Sequence, residues 1–107
     1  MRIELLWWEG CPSHPQALAE LRQILSAEGI DPEIVERREI TTDEQAEREG
    51  FPGSPTILIE GRDVVPSAGE PLGLTCRLYR LRDGRPSPTP DPEDVRAAVR
   101  RVQEEER

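Results

Sequence analysis

The sequence predicts one α/β domain on a central four-stranded mixed sheet, in the order βαβαββα. Three observations carry this reading. Ile3, Leu5, Leu6, Trp7 and Trp8 form an apolar run of strand length with little alternation, the pattern of a strand whose sheet is covered by helices on both faces. Leu18, Leu21, Ile24 and Leu25, and later Val95, Ala98, Val99 and Val102, recur at three and four residues, the period of an amphipathic helix. Thr56-Ile57-Leu58-Ile59 is a β-branched run closed by Glu60-Gly61-Arg62-Asp63, which reads as the first arm and turn of a hairpin.

The first strand is central and leads through Gly10-Cys11-Pro12 into a first helix that runs from about Ala17 to Gly29, a residue that commonly ends helices in the left-handed conformation. Glu33 to Ile40 mixes Ile34, Val35 and Ile40 with five charges, as expected of a partly buried strand at the sheet edge. Thr41 and Thr42 stand three residues before Glu44 and Gln45, offering capping boxes for a short helix that ends near Gly50. After the turn-rich Phe51-Pro52-Gly53-Ser54-Pro55, the hairpin pairs Thr56–Ile59 antiparallel with Asp63–Val65.

Pro66 to Gly73 reads as a loop, and Leu74 to Leu81 alternates well enough for an extra strand. Between Arg85 and Pro92, proline at every second position prevents helix and favours an extended spacer inside the domain. Asp91 then caps the last helix, with Pro92 at its first position, and Glu104 to Arg107 is expected to fray.

With 107 residues, the chain has enough length for one core and no more. Its net charge of −8 comes from 14 basic and 22 acidic residues, all the basic ones being arginine, and such a surface repels phosphate backbones and anionic lipid. Nucleic acid and membrane partners are therefore not expected. Met1 to Trp8 is too short for the apolar core of a signal peptide and is interrupted by Glu4, so the expected location is the cytoplasm. There thiols are kept reduced, and two cysteines point to redox or metal chemistry more than to a structural staple. No cofactor is expected.

The order of elements, the cysteine at the first strand-to-helix junction and Ser54-Pro55-Thr56 at the mouth of the hairpin resemble the thioredoxin-like fold, from Met1 to about Val65 and again in the last helix. Within that superfamily, Trp8-Glu9-Gly10-Cys11-Pro12 and Cys76-Arg77-Leu78-Tyr79 are similar to a group of small bacterial thioredoxin-like proteins, some members of which carry selenocysteine at the position matching Cys11. The departure is the motif itself: Cys-x-x-Cys is replaced by Cys11-Pro12-Ser13-His14, which removes the internal resolving thiol. The resemblance implies a thiol-dependent redox protein acting through Cys11, with a protein or small-molecule thiol or disulfide as partner. It also implies that Pro55 is cis beside the reactive sulfur and that the Ser54 backbone pairs with a substrate strand.

A helix start exposes unpaired backbone N–H groups and a partial positive charge, both of which favour thiolate and lower a cysteine pKa from about 8.5. Two starts compete: Cys11 as the cap with Pro12 next, or Ser13 as the cap with Gln16 completing a box, which leaves Cys11 two residues outside. His14 can support the thiolate or shuttle its proton, or be an inert first-turn residue. Trp8 is core and rim, or one wall of a substrate groove. The hairpin returns the chain to the Cys11 edge, so Cys76 is placed within reach as a resolving thiol, against the commoner fate of a small buried residue.

Two alternatives stand beside redox chemistry. Cys11, His14 and Cys76 together can hold a soft metal such as copper, zinc or mercury. A non-catalytic module would instead use the proline loop to bind a partner segment. The redox reading requires Cys11 to be reachable from solvent and close to a cis Ser54–Pro55 bond.

Overall fold

A computed structural model describes residues 1–67 and 69–106. Strand β1 (Ile3–Trp7) is the centre of a sheet ordered β2-β1-β3-β4, where β2 is Glu36–Glu39, β3 is Thr56–Ile59 and β4 is Arg62–Asp63. β1 runs parallel to β2, with Glu4 opposite Glu36 and Trp7 opposite Glu39, and antiparallel to β3, with Ile3 opposite Ile59 and Leu6 opposite Thr56. The β3–β4 hairpin is antiparallel. Helices α1 (His14–Ala27), α2 (Asp43–Glu49) and α3 (Pro92–Glu105) complete the layers.

Side chains along a strand point alternately to its two faces, so β1 feeds two cores. Ile3 and Leu5 pack with Leu21 and Leu25 of α1 and Val95 and Val99 of α3, while Leu6 packs with Ile40, Ala46 and Phe51 on the α2 side. Each fully buried leucine or isoleucine here contributes roughly 1.5–3 kcal/mol by leaving water. Glu4 is buried on that second face and is balanced by Arg38, whose guanidinium bridges it at 2.7 Å to Glu49 at 2.6 Å. The charge-rich β2 lies at the sheet edge as expected, preceded by a single 3₁₀ turn, Pro32–Ile34, in place of its first residues.

The capping boxes resolve in favour of Thr42, whose hydroxyl accepts the Gln45 amide at 3.0 Å while the Gln45 side chain reaches back to the Thr41 amide at 3.0 Å. α1 begins at His14, close to the second of the two starts, although the Ser13 side chain makes no capping hydrogen bond and no box forms. Pro15 falls in the first turn, where its missing N–H costs nothing. Asp91 caps α3 by accepting the Glu93 amide. α3 is helical to Glu105, with Glu106 at its C-cap position; Arg107, the last residue of the stretch expected to fray, lies outside the described residues.

Three boundaries differ from expectation. β4 is Arg62–Asp63 instead of Asp63–Val65: the Val64 amide still donates to the Ile57 carbonyl at 3.0 Å, but the Val65 amide turns to the Asp63 carboxylate at 2.9 Å. Leu74 to Leu81 is not one strand: Cys76 makes an isolated parallel bridge to Ser54, and only Tyr79–Arg80 (β5) is a strand. The proline-rich spacer is folded back, with Pro86–Ser87 (β6) paired antiparallel to β5 around a turn at Asp83-Gly84. Pro86 is tolerated there because this two-stranded ribbon has open edges that need no donor. No helix among the described residues is long and apolar enough to cross a membrane.

Candidate functional site

The chain leaves β1 through Trp8, whose carbonyl accepts the Cys11 amide at 3.0 Å and closes a tight turn ahead of α1. That turn presses the indole of Trp8 so close to Gly10 that a Cβ there would meet the ring at 2.4 Å. Trp8 packs on the Leu6, Ile40 and Phe51 cluster, and its amide donates to the Ser54 hydroxyl at 3.1 Å. Its part in the site is thus made through its backbone, which places Cys11 on one side and Ser54 on the other.

Ser54–Pro55 is cis, and it lies against Cys11: the thiol donates to the Ser54 carbonyl at 3.3 Å. The same Ser54 is fully buried and has both backbone groups engaged by its own chain. Its amide donates to the Thr75 carbonyl and its carbonyl accepts the Arg77 amide, each at 2.8 Å. The groups expected to receive a substrate strand therefore already hold Thr75-Cys76-Arg77. Gly53, at φ 134°, makes this possible, since a Cβ there would stand 3.1 Å from the Arg77 backbone nitrogen.

That arrangement lays Cys76 over Cys11. Cys11 is 1% exposed, whereas Cys76 is an exposed free thiol. The expectation that solvent reaches Cys11 is corrected: the Thr75–Arg77 segment covers it, so a direct attack by Cys11 on an outside partner, the form of redox chemistry expected from the sequence, is not supported, and any exchange with a partner has to pass through Cys76. Burial alone would raise the Cys11 pKa, yet the neighbouring polar groups, the Ser13 amide, the Cys76 thiol and the Ser13 and Ser54 hydroxyls, outweigh burial and lower it. The Cys76 pKa is raised, chiefly because its proton serves the Cys11 sulfur and also by burial and the neighbouring negative charge. Of the two neighbouring thiols, Cys11 is thus the more acidic.

His14 is not brought to the sulfur pair. Its ring stacks on Trp7, with centroids 4.3 Å apart and planes inclined by 26°, and the groups that lower the Cys11 pKa do not include it. Among the described residues, no group of three or more His, Cys, Asp or Glu side chains is arranged to hold a metal ion. The trio of Cys11, His14 and Cys76 is accordingly not assembled.

Two residues that sequence reasoning left without a role fasten Cys76 in place. The Arg77 guanidinium, its side chain 2% exposed, donates to Asp63 at 2.8 Å and Thr56 at 3.3 Å, both on the β3–β4 hairpin, and to the carbonyl of Val65, two residues past it, at 2.5 Å. It also lies 4.6 Å over the Tyr79 ring, and the Tyr79 hydroxyl donates to the Pro55 carbonyl at 2.5 Å. The signal available in the sequence was an arginine beside a cysteine with an aspartate at the hairpin end.

Cys76, Arg77 and Leu78 line two grooves at once. One, about 520 Å³, also includes Asp43, Glu70 and Leu74; the other, about 330 Å³, includes Ser13, Pro86 and Pro88. Leu78, between them, is 66% exposed. Compared with protein-family models, curated proteins and solved structures, the chain matches none.

Proposed function

We propose that this chain is a thiol redox protein of thioredoxin-like fold in which Cys11 and Cys76 cycle between a dithiol and an intramolecular disulfide. The observation that carries the reading is the placing of Cys76 beside Cys11 by its bridge to Ser54, the residue whose carbonyl accepts the Cys11 thiol next to a cis Ser54–Pro55 bond, with Cys11 the more acidic of the two thiols. The strand order, with β1 parallel to β2 and antiparallel to β3, agrees with the thioredoxin-like arrangement that the sequence resembles.

The chemistry is a two-electron exchange. Two partner thiols and the protein disulfide give a partner disulfide and the protein dithiol, with both protons ending on the protein sulfurs or in solvent. The partner is a protein or small-molecule thiol, and the fitting compartment is the cytoplasm, where both cysteines start reduced. Retention of full cellular function after Cys11→Ser would instead favour a non-catalytic binding module.

The test is mild oxidation of the purified chain followed by thiol counting and intact mass. Loss of both thiols with a mass lower by two hydrogens is expected. Survival of both thiols overturns the reading.

A further inference from the structure

We infer that Cys76, and not the Cys11 singled out by the sequence motif, is the sulfur that exchanges with partners, Cys11 being the interior sulfur that leaves and returns. The inference rests on the redox reading above and assigns the order of its bonds.

Three observations place the exchange at Cys76. Access is one-sided: Cys11 is 1% exposed while Cys76 is exposed and stands where the two grooves meet. The edge by which an outside strand would approach Cys11 is closed by the Ser54 hydrogen bonds to Thr75 and Arg77. The cover is also fastened on either side of Leu78, since Arg77 is held by Asp63 and the Val65 carbonyl and the Tyr79 hydroxyl by the Pro55 carbonyl. A partner thus meets Cys76 first, without any rearrangement.

The chemistry runs the same way. A partner thiolate attacks the Cys76 sulfur of the Cys11–Cys76 disulfide; a bond forms between the partner sulfur and Cys76, and the electron pair of the broken bond goes to Cys11. A thiol that is more acidic leaves faster, and of the two sulfurs Cys11 is the one whose pKa is lowered while that of Cys76 is raised. A second partner thiolate then attacks the partner sulfur, releasing the partner disulfide and leaving the Cys76 thiolate to take up a proton. In the reverse direction the Cys11 thiolate attacks the Cys76 sulfur of the mixed disulfide and expels the partner.

Reduced glutathione added to the oxidised full chain, with acid quenching and peptide mass spectrometry, reads the site directly. Glutathione is expected on Cys76 in excess over Cys11 by at least about tenfold, because exchange depends on which sulfur is accessible. Glutathione found on Cys11, alone or equally, overturns the inference while leaving the redox couple intact. A second arm does not need the disulfide: Cys11→Ser should form a mixed disulfide with oxidised glutathione, and Cys76→Ser should do so about tenfold more slowly. Equal or reversed rates also overturn the inference, whereas failure of the wild type to form any internal disulfide counts against the proposed function alone.

Discussion

Cys11 and Arg77 share one acceptor, the Ser54 carbonyl oxygen, which takes the thiol at 3.3 Å and the Arg77 amide at 2.8 Å. Because Cys76 precedes Arg77, whatever fixes Arg77 also fixes the distance between the sulfurs. Backbone pairing alone is a single bridge, so the fixing falls to the buried guanidinium and its partners on and just past the hairpin.

Arg77→Gln should therefore loosen Cys76 as well as destabilise the fold. Removing one partner of a buried ion pair leaves the other uncompensated and costs about 3–5 kcal/mol, the lower end applying here because Asp63 retains 17% side-chain exposure. Urea unfolding measures this loss. In the variant that remains folded, the disulfide should become easier for glutathione to reduce, because a Cys76 held less firmly over Cys11 closes the disulfide less favourably. An unchanged equilibrium with glutathione would mean that Arg77 serves stability and does not position Cys76.

The Cys11 thiol should ionise at a lower pH than an ordinary cysteine, a midpoint read from the ultraviolet absorbance of the thiolate against pH and compared with that of the unfolded chain. Burial opposes ionisation, so the lowering depends on the donors around the sulfur, of which the Cys76 thiol is one. Cys76→Ala removes that donor while its backbone, still paired with Ser54, keeps the segment over Cys11, and should move the midpoint upward. A midpoint that stays put would show that Ser13 and Ser54 suffice.

How much of this was legible follows from the range of each interaction. β1, α1 and α3 were readable because their apolar residues repeat at the period of the element, and Thr42 and Asp91 because a cap acts within three residues. Leu74 to Leu81 misled, since its alternation is equally met by a segment with Arg77 and Tyr79 buried and Leu78 exposed that is not in the main sheet. The covering of Cys11 was not legible at all. It depends on Ser54 bonding to Thr75 and Arg77, and on Arg77 reaching Asp63, contacts between segments 14 or more residues apart that leave no periodic trace.

His14→Ala separates a chemical role from a packing role. The imidazole touches Trp7, not the sulfurs, so the substitution should leave the Cys11 ionisation midpoint unchanged. Loss of the stacked ring should cost about 1 kcal/mol in thermal or urea unfolding, the scale of an aromatic pair. A shift in the midpoint would return His14 to the catalytic group.

Asp91 ties two elements with one carboxylate, accepting the Arg82 amide and the Glu93 amide, each at 2.8 Å, and these bonds hold its pKa below the usual carboxylate value. Asp91→Ala should cost about 1–2 kcal/mol, the range for a lost helix cap, and should free the β5–β6 ribbon from the start of α3. The pH dependence has a definite sign. A carboxylate more acidic in the folded chain than in the unfolded one adds stability in full above the unfolded value near 3.9, and that addition disappears as pH falls through the lower folded value. The wild type and Asp91→Ala should accordingly differ most at neutral pH and converge in acid. Urea midpoints that keep a constant separation from neutral pH into acid would show that the carboxylate's charge plays no part in the cap.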